Sequence, residues 1–199
     1  MTTNNKTSRL VVLCGPPCSG KSNAAEGLEL HNRLPRLEMD AFRSQIFPLG
    51  NQTPEERQAS YNAMHICAGH LLRWGIERVC LVATYQPFVQ REAVARLAQN
   101  HEWLRVIQFM IDPEIAVRRF LEGRDDHPAK DLTPERVHQQ ARSYKYYHRA
   151  PIIDAGRLNK AQALLVTQQA LEIREGEIPG PVPTTRFAEW IDLVREVPK

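Results

Sequence analysis

Lys21 and Ser22 close the run Gly15-Pro16-Pro17-Cys18-Ser19-Gly20-Lys21-Ser22, which fits GxxxxGK[ST], a spacing suited to holding a polyphosphate. The glycines let the backbone wrap closely around phosphate oxygens. Exposed N–H groups and a helix N-terminus supply positive potential, and Lys21 adds a point charge toward the β- and γ-phosphates. Ser22 is placed to ligate Mg²⁺. The loop speaks for a nucleotide and leaves the reaction open. Asp40 comes 18 residues after Ser22, with Arg43 three positions later in Met39-Asp40-Ala41-Phe42-Arg43. A carboxylate beside an acceptor can take a hydroxyl proton or help hold the metal, and an arginine one turn on can grip an anionic or polar acceptor. A helix-capping Asp with a solvent-exposed Arg is the plainer meaning of the same pair.

These residues need elements to position them. Arg9 to Cys14 reads as a short buried strand, broken by Gly-Pro-Pro, with a helix from Gly20 to about Leu30. Arg36 to Met39 is a second short strand, with Asp40 just beyond its C-terminal end. Thr53-Pro54-Glu55-Glu56 combines an N-cap, a proline at the first helical position and a capping-box glutamate. The helix it opens carries a core stripe of Met64, Cys67, Ala68, Leu71 and Leu72 and stops at Gly75. Val79 to Ala83 is the next strand, then a helix from Val89 to Gln99 and a strand from Leu104 to Ile111. Asp112-Pro113-Glu114 and Thr133-Pro134-Glu135 start two further helices, separated by the polar stretch Gly123 to Leu132. Pro151 to Asp154 is a last strand before a helix from Lys160 to Arg174. Five strands alternating with helices imply a parallel sheet covered on both faces. In such a sheet, strand C-termini converge on one crevice, which would bring Asp40 toward the phosphates.

The pairing of GPPCSGKS with MDAFR, and then with VATYQPFVQRE, resembles the kinase-type P-loop proteins. These include polynucleotide 5′-kinases, zeta toxins, chloramphenicol phosphotransferase and adenylylsulfate kinase. The resemblance runs from about Leu10 to Ile153. It implies a P-loop NTPase three-layer α/β sandwich, with a five-stranded parallel sheet and a lid. It also implies transfer of the γ-phosphoryl group of ATP, with Mg²⁺, to a hydroxyl. By that resemblance Asp40 is the general base, Arg43 binds the acceptor, and Arg91, in Gln90-Arg91-Glu92, is an acceptor-side arginine. Many relatives carry Asp-Ala-Thr where this chain has Val82-Ala83-Thr84, which leaves Mg²⁺ with Ser22 and, through water, Asp40.

Arg118-Arg119, Arg124-Asp125-Asp126 and Leu132 to Glu135 look like the lid of the same group, over about 118–133. A guanidinium arriving on closure offers fixed donors to the transferring phosphoryl and excludes water. Arg124 is assigned to the phosphates, as a catalytic residue beside Lys21 and Asp40, and Arg119 to the base; the two can be exchanged. A solvated charged helix end is the plainer meaning here too. Arg136, His138, Arg142, Lys145, His148 and Arg149, interleaved with Tyr144, Tyr146 and Tyr147, give the following segment a basic character that suits an extended anion or a solvated face.

The 199 residues, 42% hydrophobic and 25% charged, suit one domain over 1–177, with 178–199 a proline- and glycine-led appendage rather than a second domain. A net charge of +3 is far below that of a nucleic-acid coating protein. No apolar run approaches the ~18 residues of a membrane span. Cys14, Cys18, Cys67 and Cys80 show neither CxxC nor zinc spacing, so reduced thiols and a cytoplasmic location are expected. The seven histidines form no nucleophile or metal constellation and are taken as structural. The acceptor is expected to be a small metabolite or nucleoside-like hydroxyl compound. A polynucleotide 5′-end is the alternative enzyme reading, and a slow nucleotide-binding switch the alternative of another class. A switch would want the strand-end Asp that is absent at Val82, and would not need Asp40.

Overall fold

The structure, a computed structural model, describes residues 9–51, 53–99, 103–123, 132–146 and 150–171, with Trp103 described in its backbone alone. The expected appendage 178–199, Arg124 to Asp126 and the Tyr147-His148-Arg149 segment lie outside the described residues.

β1 (Arg9–Cys14) is buried along its whole length because it pairs on both sides, with β3 (Arg78–Ala83) and with β4 (Trp103–Met110), all parallel. β2 (Arg36–Glu38) and β5 (Ile152–Asp154) complete a parallel sheet in the order β2-β3-β1-β4-β5. Because successive strand side chains alternate between faces, β1 feeds two cores. Leu10, Val12 and Cys14 join Tyr61, Met64 and Ala68 of α3 (Pro54–Arg73) and Val94, Ala95 and Ala98 of α4 (Phe88–Ala98). Val11 and Leu13 meet Ala24, Ala25 and Leu28 of α1 (Lys21–Asn32), with Leu164 of α7 (Lys160–Ala170) packed alongside. A third cluster holds α5 (Pro113–Glu122) against α6 (Pro134–Ser143) through Ala116, Phe120, Val137 and Ala141.

The caps act as their residue types dictate. Thr53 and Glu56 form a reciprocal capping box, and Asp112 Oδ1 accepts from the backbone N–H groups of Glu114 at 2.9 Å and Ile115 at 3.3 Å. Several expected boundaries shift by one to a few residues. Met39 does not extend β2; it opens α2 (Met39–Ile46) directly after Glu38, so Asp40 stands in a first helical turn. Helix α7 ends at Ala170, whereas a helix to Arg174 was expected, and positions 172–174 lie outside the described residues. No helix among the described residues is long and apolar enough to cross a membrane.

Candidate active site

All five strands point their C-terminal ends the same way, and a cavity of about 800 Å³ opens there. Its floor is the phosphate loop from Pro17 to Ser22. Met39, Asp40 and Arg43 of α2 line the cavity, as do Glu38 and Thr84. Arg119, Arg136 and Gln140 rise from α5 and α6, and Leu158, Asn159 and Lys160 close the far end.

Gly15 and Gly20 explain the loop's shape. Gly20, at φ 87°, turns the chain into α1, a left-handed conformation that favours glycine. Gly15 lies behind the loop, where a Cβ would stand 2.5 Å from the Phe109 carbonyl oxygen, and it does not line the cavity. Pro16 is likewise off the wall, but its carbonyl accepts from Lys21 Nζ at 3.1 Å and holds that side chain along the loop. Burial lowers the Lys21 pKa, and Asp40 and Glu38 oppose the shift, so the ammonium has two carboxylates in its field. The Ser19 hydroxyl, fully buried, has no hydrogen-bond partner among the described residues.

Asp40 and Arg43, both lining the cavity, are paired, with Arg43 Nη2 3.0 Å from Asp40 Oδ1. Glu38, which belongs to no motif in the sequence, accepts a short hydrogen bond from Ser22 Oγ. A carboxylate two residues before Asp40 at a strand end was the available signal. Arg57 of α3 also lines the cavity and was not anticipated.

Arg91 is 2% exposed and absent from the cavity wall; its Nε donates to the Tyr85 carbonyl oxygen. Tyr85, at φ 49°, is one of three non-glycine residues with left-handed backbone among those described. Its neighbours brace it: Tyr61 Oη accepts from the Tyr85 N–H at 3.3 Å, and His65 Nε2 lies 2.9 Å from Tyr85 Oη. Tyr144 Oη donates to the Thr84 carbonyl at 2.7 Å, and the side chain is buried, as a tyrosine packed at the helix end would be.

Arg119 ties three elements together. Its Nη2 donates to the carbonyls of Ala155 at 2.8 Å and Leu158 at 3.4 Å, and its Nη1 to that of Cys18 at 3.5 Å. The four cysteines are unpaired, and burial raises the Cys14 thiol to about 11, which leaves it protonated and unreactive.

Solved structures share this architecture. A gluconokinase from Sinorhizobium meliloti superposes with a TM-score of 0.61 at 16% identity, over 84% of this chain and 94% of that one. The Mycobacterium tuberculosis APS kinase, solved with AMPPNP and APS, gives a TM-score of 0.60 at 18% identity, over 83% and 98%. The Deinococcus radiodurans tunicamycin resistance protein gives 0.60 at 14% identity, over 86% and 99%. Such identities speak for the fold, which is the kinase-like P-loop fold. No curated protein sequence matches. A family model described as an AAA domain matches residues 10–168, most of the described sheet and its helices, and the chain therefore belongs to the AAA domain family.

Proposed function

We propose that the chain is an ATP-dependent phosphotransferase that moves the γ-phosphoryl group to a hydroxyl of a small metabolite or nucleoside-like acceptor. The observation that carries the reading is Asp40, held by Arg43 in the cavity that the phosphate loop also lines, within the field of Lys21. Nucleotide binding alone would not call for a carboxylate there. In this reading Lys21 neutralises charge that develops on the transferring phosphoryl, and Asp40 accepts the acceptor's hydroxyl proton. Arg43 fixes the Asp40 carboxylate and meets polar groups of the acceptor. Arg91 acts on the acceptor side through the Tyr85 backbone it braces.

Arg119, which donates to the Leu158 carbonyl, is assigned to the base, and Arg124 to the phosphates as the lid closes. The hard oxygen donors Ser22 and Asp40 fit Mg²⁺, which when bound would neutralise charge on the β- and γ-phosphates. Four unpaired thiols accord with a reducing, cytoplasmic setting. Arg57 and Arg136 on the cavity rim favour an anionic acceptor group and keep a polynucleotide end as the second reading.

The test is transfer of label from γ-labelled ATP to a panel of hydroxyl compounds and 5′-hydroxyl oligonucleotides, with Lys21→Ala beside the parent. Transfer by the parent and its loss in Lys21→Ala is the expected result. Transfer by Lys21→Ala within a few-fold of the parent would overturn the proposal.

A further inference from the structure

We infer that Glu38 supplies the carboxylate that anchors the nucleotide's divalent cation, a task for which β3 offers no acid. The inference rests on the phosphotransferase reading and divides its labour between two carboxylates. Val82, the penultimate residue of β3, is 1% exposed and shares a core cluster with Ala24, Ala25 and Leu28. Glu38 is the residue paired with Val82 across the β2–β3 ladder. The carboxylate is thus carried at the same level of the sheet, one strand over.

Its environment suits a hard cation. Glu38 Oε1 accepts from the hydroxyl of Ser22, the loop residue expected to bind the metal, and Glu38 Oε2 lies 3.5 Å from Arg36 Nη1. The side chain is therefore tethered at both oxygens beside the phosphate loop, and it lines the cavity. Asp40, by contrast, commits Oδ1 to Arg43. Two roles that the sequence assigned to Asp40 alone thereby separate: Glu38 holds the cation through Ser22 and water, and Asp40 handles the proton.

Binding of AMPPNP, which is not turned over, tests this without any activity readout. Affinity is measured with Mg²⁺ and with EDTA. For the parent, Mg²⁺ should tighten binding. Glu38→Gln keeps the shape and an acceptor for Ser22, and should erase about 10- to 100-fold of the metal-dependent tightening, while affinity in EDTA stays within about 2-fold. Arg36→Gln removes the ion pair but not the carboxylate and should retain the parent's metal dependence. Mn²⁺ titrated into the AMPPNP complex and followed by paramagnetic resonance should show the same loss of affinity in Glu38→Gln. Should Glu38→Gln not fold, Glu38→Asp, whose carboxylate falls one methylene short, should still weaken metal-dependent binding by about 5-fold or more. Parent-like metal dependence in the Glu38 variants, or equal losses with and without metal, would overturn this inference and leave the phosphotransferase reading standing. Failure of the parent to bind AMPPNP at all would overturn both.

Discussion

Arg43 Nη2 stands 3.0 Å from Asp40 Oδ1, one turn along the same helix, and Arg43 is only 4% exposed. A guanidinium so enclosed fixes the direction of the carboxylate more than it reaches into solvent. The pair is a structural unit before any acceptor arrives.

Asp40→Asn keeps the shape of that unit and removes its charge. Loss of general-base assistance should cut transfer by about 10²- to 10⁴-fold while nucleotide affinity changes little. Rates measured across a Mg²⁺ titration separate two causes: a defect that persists at high metal marks proton abstraction, and rescue marks coordination. Unchanged transfer at ordinary Mg²⁺ would remove Asp40 from the chemistry and favour the switch reading.

Arg119→Ala should loosen the junction of α5, the phosphate loop and the segment before α7, since three carbonyls lose their shared donor. Hydrogen bonds to charged groups contribute about 1.5–3 kcal/mol, so AMPPNP affinity should fall by about 10-fold or more. Amide exchange over Pro113 to Glu122 should quicken in the same variant. Parent-like values for both would confine Arg119 to the surface.

Gly15→Ala and Gly20→Ala should differ in cost. At Gly15 the new methyl meets the Phe109 carbonyl of β4, a backbone atom that cannot swing aside, at φ 151°. At Gly20 only the Arg119 side chain comes within 3.9 Å, and the cost is the left-handed backbone alone. Urea unfolding should show a loss of about 1–2 kcal/mol for Gly20→Ala and a larger loss for Gly15→Ala.

His65 predicts a pH dependence. Burial pushes its imidazole from 6.5 down to about 4. The folded protein therefore keeps it neutral where the unfolded chain takes up a proton, and stability falls as pH drops from 6.5 toward 4. A shift of that size corresponds to about 3 kcal/mol. Unfolding free energies of the parent and His65→Gln should diverge across that interval, with the parent losing more. Parallel pH profiles would show that His65 does not titrate on unfolding.

Local chemistry was legible in the sequence. The phosphate loop and the caps at Thr53, Asp112 and Thr133 depend on residues within a few positions of one another, and their residue types carry the instruction. Glu38 was not legible, because its meeting with Ser22 depends on which strands lie side by side. Met39 looked like one more apolar strand residue, and only its 3% exposure inside the core under α3 explains why it serves a helix equally well. The surroundings of Arg91 were hidden for a related reason. A left-handed tyrosine has no sequence signature, and it is the turn at Tyr85 that brings a carbonyl to this guanidinium.

No residue separates β2 from α2: Glu38 ends one and Met39 begins the other. That junction works as a ruler. One inserted residue would turn everything beyond it by about 100° about the helix axis and carry Asp40 away from the cavity. The stretch between α2 and α3, residues 47–53, has no such constraint, since lengthening a loop costs little. Lineages of this fold can therefore gain or lose residues between the second and third helices as acceptors change, while the junction at 38–39 admits substitutions but no change of length.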